Sequence, residues 1–397
     1  MADIGFGVIG AGYMGKAYAI ALSQVSTVYE MPDRAIRRVI ATSEAAGAQR
    51  RARDFGFERG TGDWRDLLAA EDVQAVAIAS PTFLHADMAV AALQAGKHVI
   101  CEKPLGRTAR EAAQMARVAQ ASGRVTMTGF NYVKNPATQL AREIIETGEI
   151  GEVIHFGATH VEDYLMDPTL PHDWRQVAAN VGRAGALGDI ASHAINLAHF
   201  LVGPVAEVVG MRQTVHAQRP AGDGMAAVEN DDQAQFLMRF ASGVPGSITA
   251  SRIHAGRKMG LTYEVVGTGG TVRFDQERMA ELQFYDARDR KGRQGFRTIL
   301  AAPGHGDYGR FCIGAGHGFG YNDMIVVEMA EFIRAIVQGT PAWPDFAAAV
   351  HTAAVVDAVL ASCDTGGWIH VNTIESAAWA LRALPFSGRA ASAPSMR

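Results

Sequence analysis

Three cysteines in 397 residues are too few for a disulfide framework, and their spacing suits no zinc site. Cys101, Cys312 and Cys363 each read as a small buried hydrophobe, and a reducing cytoplasm is the expected location. Neither sign of charge dominates. The 37 Lys and Arg stand against 41 Asp and Glu, a formal net charge of −4. The basic residues are scattered rather than gathered in a stripe, so no nucleic-acid partner is expected. No uninterrupted apolar run reaches the roughly 18 residues that span a bilayer, so no membrane partner is expected either. The chain enters an apolar run at Ile4 without a basic n-region or a small-residue cleavage site, and no signal peptide is expected. No HExxH is present, and His305 and His317 stand isolated in a glycine-rich loop, so no metal site is expected. No segment repeats.

What is present is a balanced globular composition, 48% hydrophobic and 20% charged, at a length that suits two domains. The first third alternates strand and helix signals. Ile4–Ile9, Val39–Ala41, Val73–Ala79, His98–Cys101 and Thr126–Thr128 read as short strands. Met14–Val25, Ala45–Phe55, Ala86–Ala95 and Thr108–Ala121 read as helices between them, two of them closed by Gly56 and Gly96. Such alternation predicts right-handed βαβ units in a parallel sheet.

The pattern changes after Phe130. Pro136–Thr147 reads as a helix. Longer strand-like runs follow at Val153–Val161, Val205–Val215, Gln233–Phe240, Gly246–Arg252, Leu261–Val266, Thr271–Phe274 and Leu282–Tyr285, several separated by turn signals such as Ser242-Gly243. Short turns between consecutive strands predict an antiparallel sheet. Helical periodicity returns at Asp323–Val337 and Ala347–Ser362, and these two helices are placed back near the first domain. The expected fold is α/β: an N-terminal Rossmann doubly wound parallel sheet over 1–129, and a C-terminal α/β domain with a large, mainly antiparallel open sheet over 130–386. Residues 387–397, rich in Ser, Ala and Arg, read as a flexible tail.

Gly10-Ala11-Gly12-Tyr13-Met14-Gly15 matches GxGxxG where a strand passes into a helix, the context in which the pattern means a dinucleotide. The first glycine permits the tight turn, the second a close approach of pyrophosphate, the third close packing of helix on strand. The residue ending the second strand reads the ribose, and an acid there favours NAD. Thr42-Ser43-Glu44 stands at that place, so both NAD and NADP remain open. Arg37 and Arg38 fall within the strand, where side chains alternate faces, so at most one reaches the ribose.

Lys103, in Glu102-Lys103-Pro104, directly follows the strand His98–Cys101. Ligands of an open parallel sheet sit outside the carboxyl ends of its strands, which aims this lysine at the nicotinamide end of the crevice. Asp189 and His193 open a helical run at a spacing of four, which places both on one helix face. A carboxylate beside an imidazole orients it and raises its basicity, and such a pair suits removal of a proton from an alcohol. Trp174 and Arg175 together suit a sugar, the indole for its CH face and the guanidinium for its hydroxyls.

The GxGxxG loop, Ser80-Pro81-Thr82-Phe83-Leu84-His85, Glu102-Lys103-Pro104, Asn131-Tyr132 with Pro136, and Gly188-Asp189 with His193 follow one another in an order that resembles the glucose–fructose oxidoreductase/inositol dehydrogenase (Gfo/Idh/MocA) family. The likeness covers the chain to about Ile374. Phe55-Gly56-Phe57, Asp63-Trp64-Arg65, Gln294–Arg297 and Gly316–Tyr321 make it most similar, within that family, to the levoglucosan dehydrogenases and the scyllo-inositol dehydrogenases that also oxidise L-glucose. Two departures stand out: Thr42 where an acid is frequent, and Val133 where an arginine is.

The resemblance implies NAD(P)-dependent oxidation of a secondary hydroxyl of a cyclic polyol or sugar, with NAD favoured. It implies that His193 accepts the proton, Lys103 orients the hydroxyl, and Asp189 binds hydroxyls and supports the base. Gly10, Gly12, Tyr13, Met14, Gly15, Thr42, Ser43, Ser80, Pro81, His85, Glu102, Lys103 and Asn131 then hold the cofactor. Tyr132, Trp174, Arg175, His317 and Tyr321 join Lys103, Asp189 and His193 around the substrate. A glycosidase or epimerase that oxidises its sugar transiently needs the same residues. A non-catalytic dinucleotide-binding regulator is the third reading, opposed by the intact Lys103, Asp189 and His193. A sheet covered by helices on one face leaves the other to be hidden, so a homodimer or homotetramer is expected.

Overall fold

The computed structural model describes residues 3–371, so the tail expected over 387–397 lies outside the described residues. Strands β1 (Ile4–Ile9), β2 (Ala35–Ala41), β3 (Arg59–Thr61), β4 (Ala75–Ile78), β5 (His98–Cys101) and β6 (Thr126–Thr128) form one parallel sheet in the order β3-β2-β1-β4-β5-β6. This is the dinucleotide-binding strand order, with its switch point between β1 and β4. Helices α1 (Tyr13–Val28), α2 (Ala45–Phe55), α3 (Trp64–Ala69), α4 (His85–Gln94) and α5 (Ala109–Ser122) connect the strands. All six residues of β1 are buried because helices cover both faces of the sheet. Neither β3 nor α3 was legible in the sequence; each is too short to show a period.

Beyond β6 come α6 (Pro136–Glu146), β7 (Val153–Val161), and the short helices α7 (Ala178–Val181) and α8 (Ala186–Asp189), followed by α9 (Ala191–Leu201). Then follow β8 (Val205–Gln213), the β9 (Gln218–Ala221) and β10 (Gly224–Ala227) hairpin, β11 (Gln233–Phe240), β12 (Pro245–Ser251), β13 (Gly260–Gly267), β14 (Gly270–Asp275), β15 (Glu281–Asp286) and β16 (Arg297–Leu300). Helices α10 (Tyr308–Phe311), α11 (Tyr321–Gln338) and α12 (Phe346–Thr365) precede the two-residue β17 (Ile369–His370).

Nine of these strands make the second sheet, in the order β16-β15-β14-β13-β7-β12-β11-β8-β17. Its pairings are antiparallel except β7 with β12. Along β11 burial alternates strictly after Gln233: Phe236, Met238 and Phe240 enter the core while Gln235, Leu237 and Arg239 face out. One face is therefore packed by helices and the other open.

The last two helices return to the first sheet, as expected. Ile325, Met329 and Phe332 of α11 share a core with Phe6, Val8 and Leu22, and Phe346 and Ala349 of α12 share one with Met115 and Phe130. Helix α12 is long and apolar enough to cross a membrane by length and composition, although His351 and Asp357 interrupt its apolar run. Here its apolar faces pack on α5, α9 and β8.

Candidate active site

The glycine loop leads from β1 into α1. Gly10 adopts φ +103°, and a Cβ there would fall 2.4 Å from Ala79 O. A Cβ on Gly15 would fall 2.0 Å from Gly10 O, so helix and loop touch backbone to backbone. Gly12 is the opposite case: nothing lies within 4 Å of the place its Cβ would take. Gly12 is also the cap of α1 and brings no side chain to the N–H groups of the first turn. A helix of 16 residues thus turns free N–H groups and the positive end of its dipole to open space, as a pyrophosphate requires. Ser80 Oγ, beside this loop just beyond β4, is buried without a hydrogen-bond partner among the described residues. The residues present fit a dinucleotide.

At the end of β2, the Thr42 hydroxyl donates to Glu44 O at 2.8 Å. Thr42, Ser43 and Glu44 line a cleft of about 320 Å³ together with Ala11, Gly47, Arg50, Arg51 and Asp54. Arg37 and Arg38 lie elsewhere: Arg37 donates to Phe55 O at 2.8 Å and Arg38 to Glu58 at 2.6 Å. The arginines at this end come from α2 instead, which the sequence had not singled out.

At the other end, Lys103 follows β5, and its peptide bond to Pro104 is cis. Lys103 Nζ donates to Asp189 Oδ1 at 2.9 Å and to Asp189 O at 2.8 Å. Asp189 Oδ2 accepts from the Tyr164 hydroxyl at 3.2 Å. Burial works to raise the Asp189 carboxyl, but the Lys103 ammonium and its hydrogen bond, with Arg175 and Arg252, outweigh it and hold the group well below the usual carboxylate range.

The expected pairing of Asp189 with His193 is not the one that forms. Helix α8 ends at Asp189, and Ile190, at φ −111° and ψ −37°, separates it from α9, so a spacing of four does not follow one continuous helix face. Lys103 and Tyr164 take the two carboxylate oxygens, the former in a charge-assisted bond that a neutral imidazole does not match. His193 sits instead among rings: Tyr132 at 4.6 Å, His160 at 5.6 Å and Phe130 at 5.7 Å between centroids. Burial, the Lys103 ammonium and His160 all push its pKa well below the ordinary histidine value. The imidazole is therefore neutral at pH 7, with a lone pair to accept a proton.

The other expected cofactor residues divide. Asn131 is buried at the start of a 3-10 turn, Asn131–Lys134, beside Tyr321. His85 is buried and its ring nitrogens lie 3.1 Å from Pro104 O and 2.9 Å from Ser80 O, so it straps the ends of β4 and β5 together. Glu102 is buried and accepts from the Tyr18 hydroxyl at 2.8 Å.

Among the expected substrate residues, Tyr321 bridges the two ends. Its ring is 5.9 Å from Tyr13 and 6.1 Å from Tyr132, and its hydroxyl is 3.6 Å from Met14 Sδ. The Arg175 guanidinium lies 4.5 Å over the Trp174 ring and its charge reaches Asp189. His317 is exposed between α10 and α11, and no contact of its side chain among the described residues reaches Lys103, Asp189 or His193.

Three neighbours of the site were missed. His160, on β7, lies with Nδ1 2.8 Å from Ile190 O and Nε2 3.0 Å from Glu162. The two-residue spacing of His160, near the end of β7, and Glu162, just beyond it, was the available signal, since an extended chain puts both on one face. Tyr164, in the loop beyond, carried none.

Residues 4–130 match the oxidoreductase family with an NAD-binding Rossmann fold, and residues 138–273 match the GFO/IDH/MocA C-terminal domain. The chain is 37% identical to levoglucosan dehydrogenase of Pseudarthrobacter phenanthrenivorans over 95% of its own length and 100% of that protein. It is 30% identical to inositol 2-dehydrogenase of Rhizobium meliloti over 70% and 77%. Among solved structures, levoglucosan dehydrogenase in complex with NADH and levoglucosan superposes with a TM-score of 0.91 at 38% identity, covering 93% of this chain and 99% of that one. Glycine loop, strand order and both domain matches lead to one statement: the chain belongs to the Gfo/Idh/MocA family of oxidoreductases, with an NAD-binding Rossmann fold.

Proposed function

We propose that this chain is an NAD-dependent dehydrogenase that oxidises a secondary hydroxyl of a cyclic sugar or polyol, of the levoglucosan, inositol or L-glucose kind. The observation that carries the reading is the Lys103–Asp189 ion pair beside a neutral, buried His193, outside the carboxyl end of β5. The similarity to levoglucosan dehydrogenase over nearly the whole chain supports the substrate class.

The loop Gly10–Gly15 binds pyrophosphate through backbone N–H groups, with Tyr13 and Met14 at its tip. Thr42 and Ser43 meet the ribose, and Ser80, Pro81 and Asn131 line the path between the ends. When bound, the nicotinamide ring supplies the hydride acceptor. Lys103, steered by Asp189, donates a hydrogen bond to the reacting hydroxyl oxygen. His193 takes the hydroxyl proton on its free ring nitrogen, a general-base step worth about 10²–10⁴-fold. Tyr132, Phe130 and Tyr321 keep water from the base. Trp174 and Arg175 receive the rest of the sugar.

The open face of the second sheet, with Leu237 and Met211 exposed on paired strands, supports a homodimer or homotetramer. The three unpaired cysteines support a cytoplasmic location.

The decisive experiment is a screen of inositols, L-glucose, levoglucosan and aldoses with NAD and with NADP. Net NADH formation on at least one cyclic polyol or sugar is expected. Sugar conversion without net NADH would replace the reading with transient oxidation by a glycosidase or epimerase.

A further inference from the structure

Arg175 and Asp189, the groups read as meeting the sugar and Lys103, are both tied to one buried polar cluster that hydride transfer does not use. Asn230 and Asp231 stand just before β11 and Arg252 just after β12, and each is 1% exposed. The Arg252 guanidinium locks them together: its Nη2 donates to Asn230 Oδ1 at 3.0 Å and to Asp231 O at 2.9 Å.

Two arms leave the cluster. Asn230 Nδ2 donates to Arg175 O at 2.7 Å, across 55 residues of sequence. Beside it, the Glu229 N–H donates to Gln176 O at 3.0 Å, and the Glu229 carboxylate accepts from the Ala178 N–H at 2.6 Å. The second arm holds the one-turn helix α8 by its start. Asp231 Oδ1 and Oδ2 accept from the Gly185 and Leu187 N–H groups, both at 2.8 Å, and Asp231 O accepts from the Ala186 N–H at 2.9 Å. Three consecutive N–H groups that a helix start leaves free thus go to one residue. That turn ends in Asp189, whose carboxylate and carbonyl both accept from Lys103.

The approach is so close that Gly185 has no room for a side chain. A Cβ there would fall 2.0 Å from Asp231 O, 2.8 Å from Arg252 Nη2 and 2.9 Å from Asn230 Oδ1. The cluster also carries a cost, since Arg252 Nε and Asp232 Oδ1 are buried without hydrogen-bond partners among the described residues. Buried polar groups joined into a network make rigid what they touch.

We infer that Asn230 and Asp231 are positioning residues for this site: through Arg252 they form one bracket that fixes Arg175 at a set separation from Asp189, and with it the spacing between the hydroxyl that reacts and the hydroxyl that the guanidinium reads. Asn230 acts through Arg175 and bears on affinity for the sugar. Asp231 acts through α8 and Asp189 on the aim of Lys103, and bears on turnover. These kinetic effects rest on the proposed roles of Arg175, Asp189 and Lys103; the anchoring of the two segments does not.

Two isosteric substitutions separate the arms. Asn230→Asp keeps the acceptor for Arg252 and replaces the donor to Arg175 O by an oxygen. Asp231→Asn keeps the shape and turns an NH2 group toward one of the α8 N–H groups. On the best sugar or polyol, Asn230→Asp is expected to raise KM about tenfold with kcat within about twofold of wild type, and Asp231→Asn to lower kcat about tenfold with the smaller change in KM. NADH affinity should stay at the wild-type value in both. In an Arg175→Ala background, Asn230→Asp should add nothing further to KM. The same shift of kcat and KM in both variants, or an Asn230→Asp effect that persists in full without the Arg175 side chain, would overturn the proposal. Amide hydrogen exchange is the second probe. Asn230→Asp should speed exchange over residues 173–181 and leave 185–190 as in wild type, and Asp231→Asn should do the reverse. Should Asp231→Asn fail to fold, the Asn230→Asp results decide alone. Should no polyol be turned over, or should Arg175→Ala leave KM unchanged, the reading of the site fails and exchange decides the bracket, with wild-type exchange in both segments overturning it.

Discussion

The two ends of the crevice are built in different ways. At the phosphate end the working groups are backbone N–H donors and hydroxyls, close together in the chain and open to solvent: Gly10 to Gly15, then Thr42 and Ser43. At the catalytic end they are charged and aromatic side chains, buried, and drawn from β5, α8, α9, β7 and the turn after β6. The first end holds a ligand through one local conformation. The second holds a set of ionisation states, each maintained by partners far away in sequence. Small changes should therefore act on affinity at one end and on rate at the other.

The largest effect tests the catalytic end. His193→Ala and Lys103→Met should each lower kcat by about 10²–10⁴-fold while leaving NADH affinity near wild type. Rates within a few-fold of wild type would dismantle the assignment of the base and of the orienting lysine. At the phosphate end, Gly12→Ala should weaken NADH binding by about tenfold, roughly 1.4 kcal/mol, with Tm unchanged, because the added methyl meets only the space a pyrophosphate needs. A titration by NADH fluorescence checks it; a parallel loss of Tm would show that Gly12 serves the fold rather than the ligand. The smallest effect belongs to Tyr164→Phe. It removes the hydrogen bond that a neutral hydroxyl donates to the ionised Asp189 carboxylate; at 3.2 Å and partly exposed, that bond is worth about 1 kcal/mol, so kcat/KM should fall a few-fold with the fold intact. No change would mean that Lys103 alone orients the carboxylate.

The same contrast explains what was legible in the residues. The parallel sheet and its glycine loop announce themselves because their signals are local: apolar runs, a glycine at each turn, a helix that starts where the strand ends. Lys103 was legible for the same reason, since its place follows from the end of one strand. The role of Asp189 was not. A spacing of four implies a shared helix face only if the helix is continuous, and the break at Ile190 decides otherwise.

The chain by itself determined the fold class, the dinucleotide loop and the residues we propose as base and orienting lysine, because periodicity, glycine placement and strand ends are properties of neighbouring residues. The tertiary structure alone decided that Asp189 serves Lys103 and Tyr164, and that His160 and Tyr132 enclose His193. Those relations join residues 86 and 61 positions apart, counting from Lys103 to Asp189 and from Tyr132 to His193. No local pattern encodes a contact of that span; it arises only when packing brings the elements together, and with it comes the burial that sets each group's charge.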